Sequence, residues 1–210
     1  MSTEDSSTEE DESTTNQTQT EFDNLKGAIE RVQNTAETLV DDIPPHYQRT
    51  LEHLVVDMEV LEKWHDAARE DGVEELAGAS TVAITVRKRI DRLQNDVAGA
   101  SQDVTNRLDQ LDDAIEDLEQ AVEGLNVTRT VYVVYVNKRF AHRYADPDVT
   151  IRTLLTDAGF EDVDDYGLFP HDDLYGSAQE DLAFPPNRDV DLSEDHRTYW
   201  TSTSDEDKIA

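Results

Sequence analysis

The side chains of this sequence that most readily bind metals or move protons at neutral pH are its six histidines. A helical zinc site needs two such ligands four residues apart together with a carboxylate, and no pair of these histidines has that spacing. His171 precedes Asp172 and Asp173, an arrangement that suits a hard cation in a loop. A solvated loop is the ordinary interpretation in so acidic a chain, so we expect no metal and no cofactor. The six lie at positions 46, 53, 65, 142, 171 and 196.

Nucleophilic catalysis also finds little support in the sequence. The chain has no cysteine, which excludes disulfides, thiolate metal sites and a catalytic thiol. No pattern resembles a nucleophile beside its base or a glycine-rich phosphate loop. The sequence therefore predicts a protein that is not an enzyme.

One basic cluster interrupts the acidic sequence, formed by Arg87, Lys88, Arg89 and Arg92. On a helix these side chains spread over more than one face. Nucleic-acid binding depends on phosphate neutralisation and weakens steeply with salt. We therefore expect local ion pairs, with Asp91, Asp96 or a neighbouring helix, and no nucleic acid as a partner.

The charge of the chain indicates the salt conditions in which we expect the protein to function. The 210 residues carry a formal net charge of −31, and the acidic excess runs along the whole sequence. Molar salt screens such charges to about 3 Å and removes most of their repulsion, so the composition is typical of a salt-in halophile. The sequence shows neither an apolar run of about 20 residues nor a basic and then apolar signal pattern. We expect a cytoplasmic protein without a membrane partner.

Residues 1–20 and 204–210 have too few apolar side chains to offset the entropy of ordering. We predict that the first is a disordered acidic leader and the second a disordered tail. Between them, apolar spacings of three and four residues predict a helical region over 21–126. Its helices are expected over about 21–42, 45–70 and 81–125.

The third predicted helix allows two architectures. Its apolar positions follow a heptad that changes register beside Gly99, so we expect a break or bend there. The helix either dimerises as a coiled coil, giving a homo-oligomer through residues 81–125, or folds back into an intramolecular bundle. Ala114 and Ala121 widen the apolar stripe, which slightly favours the bundle.

The C-terminal part, residues 128–203, is predicted to combine strands with one short helix. Residues 130–137, TVYVVYVN, are apolar on both faces, as in a central strand. Asn137 and Lys138 form the expected turn into a second strand over 139–144. Thr150 is a good N-cap, and Gly159 suits the left-handed residue that ends the helix. Phe160 is then expected to fold back under the hairpin.

This order resembles the β-grasp domains of the prokaryotic multiubiquitin-type family. The resemblance rests on short motifs over about 75 residues, and the whole chain resembles a haloarchaeal protein. The matching residues are Val136 and Asn137, then Val149, Thr150 and Ile151, then Ala158, Gly159 and Phe160, then Tyr166, Gly167, Leu168 and Phe169, and finally Asp189, Val190, Asp191 and Leu192 before a strand near Thr198 to Ser202.

The resemblance implies a ubiquitin-like domain of a kind found beside E1-type activating enzymes and JAB-type peptidases. Modifiers in such systems use a C-terminal diglycine, but this sequence contains no Gly-Gly pair, so we do not expect self-conjugation. The family often carries tandem copies, and one is visible here. Ubiquitin-like domains commonly bind partners through the sheet face, where we expect Phe140, Ala141 and Tyr144 to contribute.

The sequence as a whole predicts an α+β protein, with a helical bundle or coiled coil followed by a small ubiquitin-like β-grasp domain. Trp64 and Trp200 are interpreted as core residues. The leading functional hypothesis is a non-enzymatic adaptor that binds a protein partner. The alternative is a coiled-coil scaffold whose β-grasp domain caps or orients an oligomer.

Overall fold

The computed structural model describes residues 8–97, 101–171, 174–175, 183–193 and 197–201, without the side chains of residues 8–18 and 46. The chain is α+β and divides into two compact units, Met1–Thr128 and Arg129–Ala210. We call them the helical unit and the sheet unit. The predicted tail, residues 204–210, lies outside the described residues.

Four helices pack together in the helical unit. Helix α1 contacts α2 and α4, and α3 also contacts α2 and α4, so each helix has two neighbours from the same chain. The predicted apolar stripes face inward and are almost completely buried, which makes the unit an intramolecular bundle. The helices are α1 Thr8–Val40, α2 Pro45–Asp71, α3 Ala79–Asp96 and α4 Gln102–Glu123, with a 3₁₀ turn at Val73–Leu76 after α2.

The acidic leader differs from its prediction. Residues 1–7 lie outside the described part of the chain, but α1 begins at Thr8 and not near residue 21. Two effects favour this extension. The sequence is acidic at positions 9–12, in the first turns of this helix, and the helix dipole favours negative charge near a helix N-terminus. A helix already fixed by packing from Phe22 onward also lengthens without a new nucleation step.

The predicted third helix is two helices. α3 ends at Asp96, and α4 starts after Ser101, whose Oγ accepts a hydrogen bond from the backbone N of Val104 at 3.4 Å. Gly99, where the break was expected, falls within residues 98–100, which are outside the described residues. The heptad side chains of α4, from Leu108 to Leu118, are buried in the bundle. They therefore pack within one chain.

Most of the basic cluster is held in ion pairs, as its sequence predicts. Arg87 on α3 binds Asp112 and Glu119 on α4, and its Nη2 lies 2.9 Å from Glu119 Oε2. Arg92 pairs with Asp96 one turn further along α3, at 3.0 Å. Arg87 thus joins α3 to α4, whereas the Arg92 pair lies within α3.

Arg89 makes a different kind of pair, inside the bundle. Its Nε donates to Asp57 Oδ2 on α2 at 2.9 Å, and both side chains are fully buried. Burial raises the pKa of Asp57 to about 6, although the charge of Arg89 and its hydrogen bond act in the opposite direction. Asp57 Oδ1 has no hydrogen-bond partner among the described residues. Such a pair costs desolvation energy that its own attraction only partly returns.

The sheet unit contains a four-stranded mixed sheet in the order β2, β1, β6, β4. The central strands β1 and β6 are parallel, and both outer strands are antiparallel to their neighbours. A two-stranded ladder of β3 and β5 lies apart from it. The strands are β1 Tyr132–Val136, β2 Arg139–Tyr144, β3 Asp148–Thr150, β4 Leu168–His171, β5 Asp189–Asp191 and β6 Thr198–Thr201.

The short helix α5, Ile151–Asp157, follows its sequence signals closely. Thr150 Oγ1 accepts from the backbone N of Thr153 at 3.1 Å, which is the predicted N-cap. At the other end, Gly159 has a φ of +88°. The backbone N of Phe160 donates to the carbonyl of Leu155 at 3.0 Å, closing a Schellman motif. Phe160 thereby turns back into the core of the unit, as expected.

That core is apolar apart from Tyr199. Side chains of β1, α5, β4 and β6 meet on one side of the sheet, joined by Phe184 and Leu192 from the connections. Burial raises the pKa of Tyr199 above its ordinary value. In the described parts of both units, no helix is long and apolar enough to cross a membrane.

Candidate protein-interaction surface

The two faces of the four-stranded sheet have different neighbours. Side chains alternate along a strand, and in β1 Val134 and Val136 belong to the core that includes α5. Val133 and Tyr135 therefore point to the opposite face. Cross-strand partners share a face, so Phe140 lies beside Tyr135 on this second face.

The pairing register extends this second face across the sheet. Tyr199 of β6 is in the core, so its neighbours Thr198 and Trp200 point the other way. Phe169 of β4 is the partner of Trp200, and His171 is the partner of Thr198. We call the set Tyr135, Phe140, Phe169, His171 and Trp200 the aromatic face.

Ring contacts join two pairs of residues within the aromatic face. Tyr135 and Phe140 meet edge to face with centroids 6.2 Å apart, and His171 and Trp200 lie 5.7 Å apart. Tyr135 is buried, while the other four are half-buried. Trp200 Nε1 donates to no acceptor among the described residues, although indole N–H groups usually have a partner when buried. The sheet thus has a wide, partly accessible aromatic surface away from α5.

The turn between β1 and β2 places a cation at one end of this surface. Asn137 and Lys138 both have positive φ, at 49° and 65°, in the predicted turn. Lys138 Nζ lies 4.9 Å from the ring centroid of Trp200 and 5.0 Å from that of Tyr175. Both distances allow cation–π attraction.

Asn137 ties the same turn to β6. Its Oδ1 accepts from the backbone N of Thr201 at 3.0 Å, and its Nδ2 donates to Thr201 Oγ1 at 3.2 Å. The Asn137 side chain therefore fixes the turn to β6, which holds Lys138 close to the aromatic rings.

The three residues predicted from the sequence do not form one surface. Phe140 lies on the aromatic face, whereas Ala141 and Tyr144 pack against the core on the side of α5. The reason is a β-bulge in β2: Val134 is opposite His142 and Tyr135 is opposite Phe140, so Ala141 is an extra residue that reverses the alternation.

Tyr144 makes a polar contact on its own side of the sheet. Its hydroxyl donates to Asp157 Oδ2 of α5 at 2.6 Å. Burial, this hydrogen bond and the nearby negative charge together raise the pKa of Tyr144 above its ordinary value. This contact joins β2 to α5 and has a structural role.

Sequence reasoning missed most of the aromatic face. The sequence predicts Trp200 in the core, but the core position in β6 belongs to Tyr199, and Trp200 is half-buried on the other side. The alternation in Tyr199 and Trp200 carried this signal, since only one of two adjacent strand residues faces a given side. Trp64, the other tryptophan, is buried in the bundle as predicted.

A metal site is not apparent in the described ranges, where no three His, Asp or Glu side chains group closely enough to hold an ion. His171 lies in β4 against Trp200. Its proposed companions, Asp172 and Asp173, are outside the described residues.

A polar cavity of about 470 Å³ lies between α1 and α4 of the helical unit. Arg31 of α1 binds Asp117 of α4 there. Both residues line the cavity, so the ion pair joins the two helices at this point.

Comparison of the chain with protein-family models, with curated proteins and with solved structures finds no match. The function is therefore inferred from the residues and surfaces of the molecule itself.

Proposed function

We propose that this protein is a non-enzymatic interaction adaptor. In this proposal residues 128–203 form a ubiquitin-like β-grasp domain that binds a protein partner through the aromatic face. The helical unit supplies a folded support whose apolar stripes are already buried.

The order of elements in the sheet unit supports the β-grasp assignment. The hairpin of β1 and β2 comes first, then α5, then β4, which is the order on which the family resemblance rests. The closing strand, β6, enters between β1 and β4 and pairs with both. α5 packs into the core on one face and leaves the aromatic face on the other.

The observation that carries the binding proposal is the composition of that face. Phe140, Phe169 and Trp200 lie half-buried on one side of a single sheet, with Lys138 at its end. Aromatic residues dominate the binding energy of protein interfaces, and clustered apolar surface on a folded protein commonly marks an interaction site.

The partner class follows from the resemblance. Multiubiquitin-type domains occur beside E1-type activating enzymes and JAB-type peptidases, so we propose a protein of one of these two classes. Since the composition is halophilic, the interaction has to survive molar salt, which screens charges but strengthens the burial of apolar surface.

The scaffold alternative has less support. An oligomer through residues 81–125 needs the apolar stripe of α4 between chains, and Leu108, Leu111 and Leu118 are buried within one bundle. These side chains would have to leave the bundle to form such an interface.

Direct binding tests the proposal. The full chain is immobilised in molar salt and titrated with an E1-type enzyme and a JAB-type peptidase from the same organism. The Phe140→Ser variant removes one aromatic side chain from the face, and we expect roughly tenfold weaker binding from it, because hot-spot truncations cost about 1–2 kcal/mol or more.

Ile84→Ser is the matched control. Ile84 is the large apolar side chain that is 51% exposed on α3, in the other unit, so this change removes similar apolar area away from the face. Near-ultraviolet circular dichroism verifies that both variants fold. If neither protein binds, or if Ile84→Ser weakens binding as much as Phe140→Ser does, the proposed function is wrong.

A further inference from the structure

The two edges of the four-stranded sheet are not equivalent. At the β4 edge, Leu168 exchanges both backbone hydrogen bonds with Phe184, at 3.0 and 2.7 Å. At the other edge, β2 has β1 as its sheet neighbour and no second strand among the described residues. A strand in this position offers backbone groups to which an extended segment can pair.

The β2 edge is also locally basic in an acidic chain. Residues 137–145 contain Lys138, Arg139 and Arg143 and no Asp or Glu, whereas the whole chain has 49 acidic and 18 basic residues. Arg139 forms no ion pair with the described carboxylates. Two of these cations lie on the edge strand and the third in the turn before it, within a chain that is acidic as a whole.

This charge pattern selects among occupants of the edge. Two copies of β2 pairing with each other would bring like charges together, which destabilises a β ladder. An acidic strand would instead place carboxylates beside arginines. Arg139 and Phe140 lie on opposite faces of β2, since the β1 partner of Arg139 is the core residue Val136 and the partner of Phe140 is Tyr135. An occupant with alternating apolar and acidic residues would thus place its apolar side chains beside Phe140 and its acidic ones beside Arg139.

We propose that the outer edge of β2 binds an acidic, extended segment of the partner protein by strand addition. The inference rests on the proposed adaptor function and specifies the chemistry of its partner. Backbone pairing supplies affinity that salt does not screen, and Arg139 selects acidic over basic segments.

A defined peptide tests this edge directly. The probe is a fluorescent peptide of alternating Val and Glu with the six-residue length of β2, and its counterpart alternates Val and Lys. Both are titrated into the full chain at low and at molar salt by anisotropy. We expect the acidic peptide to bind about tenfold more tightly than the basic one in molar salt, because at low salt the net charge of −31 repels an acidic peptide over long range. Amide hydrogen exchange should slow in β2.

Two variants with the same change of charge test whether the acidic peptide binds at the β2 edge. Arg139→Glu reverses a charge at the edge, and we expect about tenfold weaker binding of the acidic peptide. Arg69→Glu reverses an exposed charge on α2 in the helical unit and should leave the affinity unchanged.

Several results would overturn the inference. These are equal affinity for the two peptides, equal effects of the two variants, exchange protection outside β2, or tighter binding of a single-stranded oligonucleotide, which would make the basic edge a nucleic-acid site. The two proposals can fail separately. If Phe140→Ser weakens binding of the E1-type or JAB-type protein but Arg139→Glu does not, the proposed function stands and only the proposed strand addition at the β2 edge is wrong.

Discussion

The helical unit and the sheet unit both bury an apolar core, but their charged and aromatic side chains lie in different places. The bundle takes an ion pair, Asp57 with Arg89, into its interior and covers both side chains completely. The sheet unit has an apolar core and leaves aromatic side chains half-buried on the face away from α5. The buried charged residues of the bundle therefore contribute to its own packing, whereas the half-buried aromatic residues of the sheet unit are partly accessible to a partner.

This difference shows that a cluster of charged residues in the sequence does not by itself mark a functional site. Arg87, Arg89 and Arg92 form the most basic cluster of the sequence, and each one binds a carboxylate of the bundle. The aromatic face carries no comparable sequence pattern, because its members come from four strands. Recognition surfaces on sheets are assembled by register, which local sequence does not specify.

The largest effect should come from breaking the buried pair. We expect Asp57→Leu to destabilise the helical unit by about 3–5 kcal/mol, because it leaves the Arg89 charge buried without its anion. The double variant Asp57→Leu with Arg89→Met should recover this loss and equal or exceed the original stability. Urea unfolding followed by Trp64 fluorescence measures both. A single variant that costs less than about 1 kcal/mol would mean that water reaches the site.

A core truncation in the sheet unit tests whether the two units unfold separately. Leu154 is fully buried in α5, so Leu154→Ala should cost roughly 2–5 kcal/mol. The chain has two tryptophans, Trp64 in the bundle and Trp200 in the sheet unit. Single-tryptophan variants made with Trp64→Phe or Trp200→Phe then report each unit alone.

We expect Leu154→Ala to move the Trp200 transition and to leave the Trp64 transition where it was. A shift of both transitions by the same amount would show one cooperative fold and would remove the contrast between the units.

The third prediction concerns pH and the helical unit. Burial raises the pKa of Asp57 from 3.8 to about 6, so between these values the folded chain keeps a proton that the unfolded chain has released. The stability contributed by this group is greatest below pH 3.8 and falls as pH rises through about 6. The total change is on the order of 3 kcal/mol, at 1.36 kcal/mol per pKa unit.

The double variant Asp57→Leu with Arg89→Met isolates this effect, since the other carboxylates titrate equally in both proteins. Its stability relative to the original chain should rise between about pH 4 and about pH 7, measured by Trp64 fluorescence. A constant difference across this range would mean that Asp57 stays ionised throughout. The Trp200 transition should show no such difference between the two proteins.

Much of the fold follows from local signals in the sequence. The stripe from Phe22 to Leu39, the Thr150 cap, the Asn137 and Lys138 turn and the Gly159 helix end are each determined by a few neighbouring residues. Contacts between residues far apart in the sequence could not be predicted in this way. Asp57 and Arg89 are 32 residues apart and pair only because α2 and α3 pack together.

The candidate site was less predictable than the fold for the same reason. Phe140 and Tyr144 are four residues apart on one strand and would share a face if the strand were regular. The bulge at Ala141 separates them, and it appears only when β2 is paired with β1. The face of Trp200 likewise depends on Tyr199 entering the core.

The smallest predicted effect lies in the turn that holds Lys138 at the end of the aromatic face. A lysine at a φ of 65° is strained by roughly 1 kcal/mol relative to glycine, and its ammonium regains part of this over Trp200 and Tyr175. Lys138→Ala keeps the strain and loses the ring contacts, whereas Lys138→Gly loses both. We therefore expect Lys138→Ala to be less stable than Lys138→Gly by about 1 kcal/mol, measured by the Trp200 transition. Equal stabilities would show that the Asn137 bonds to Thr201 alone fix the turn.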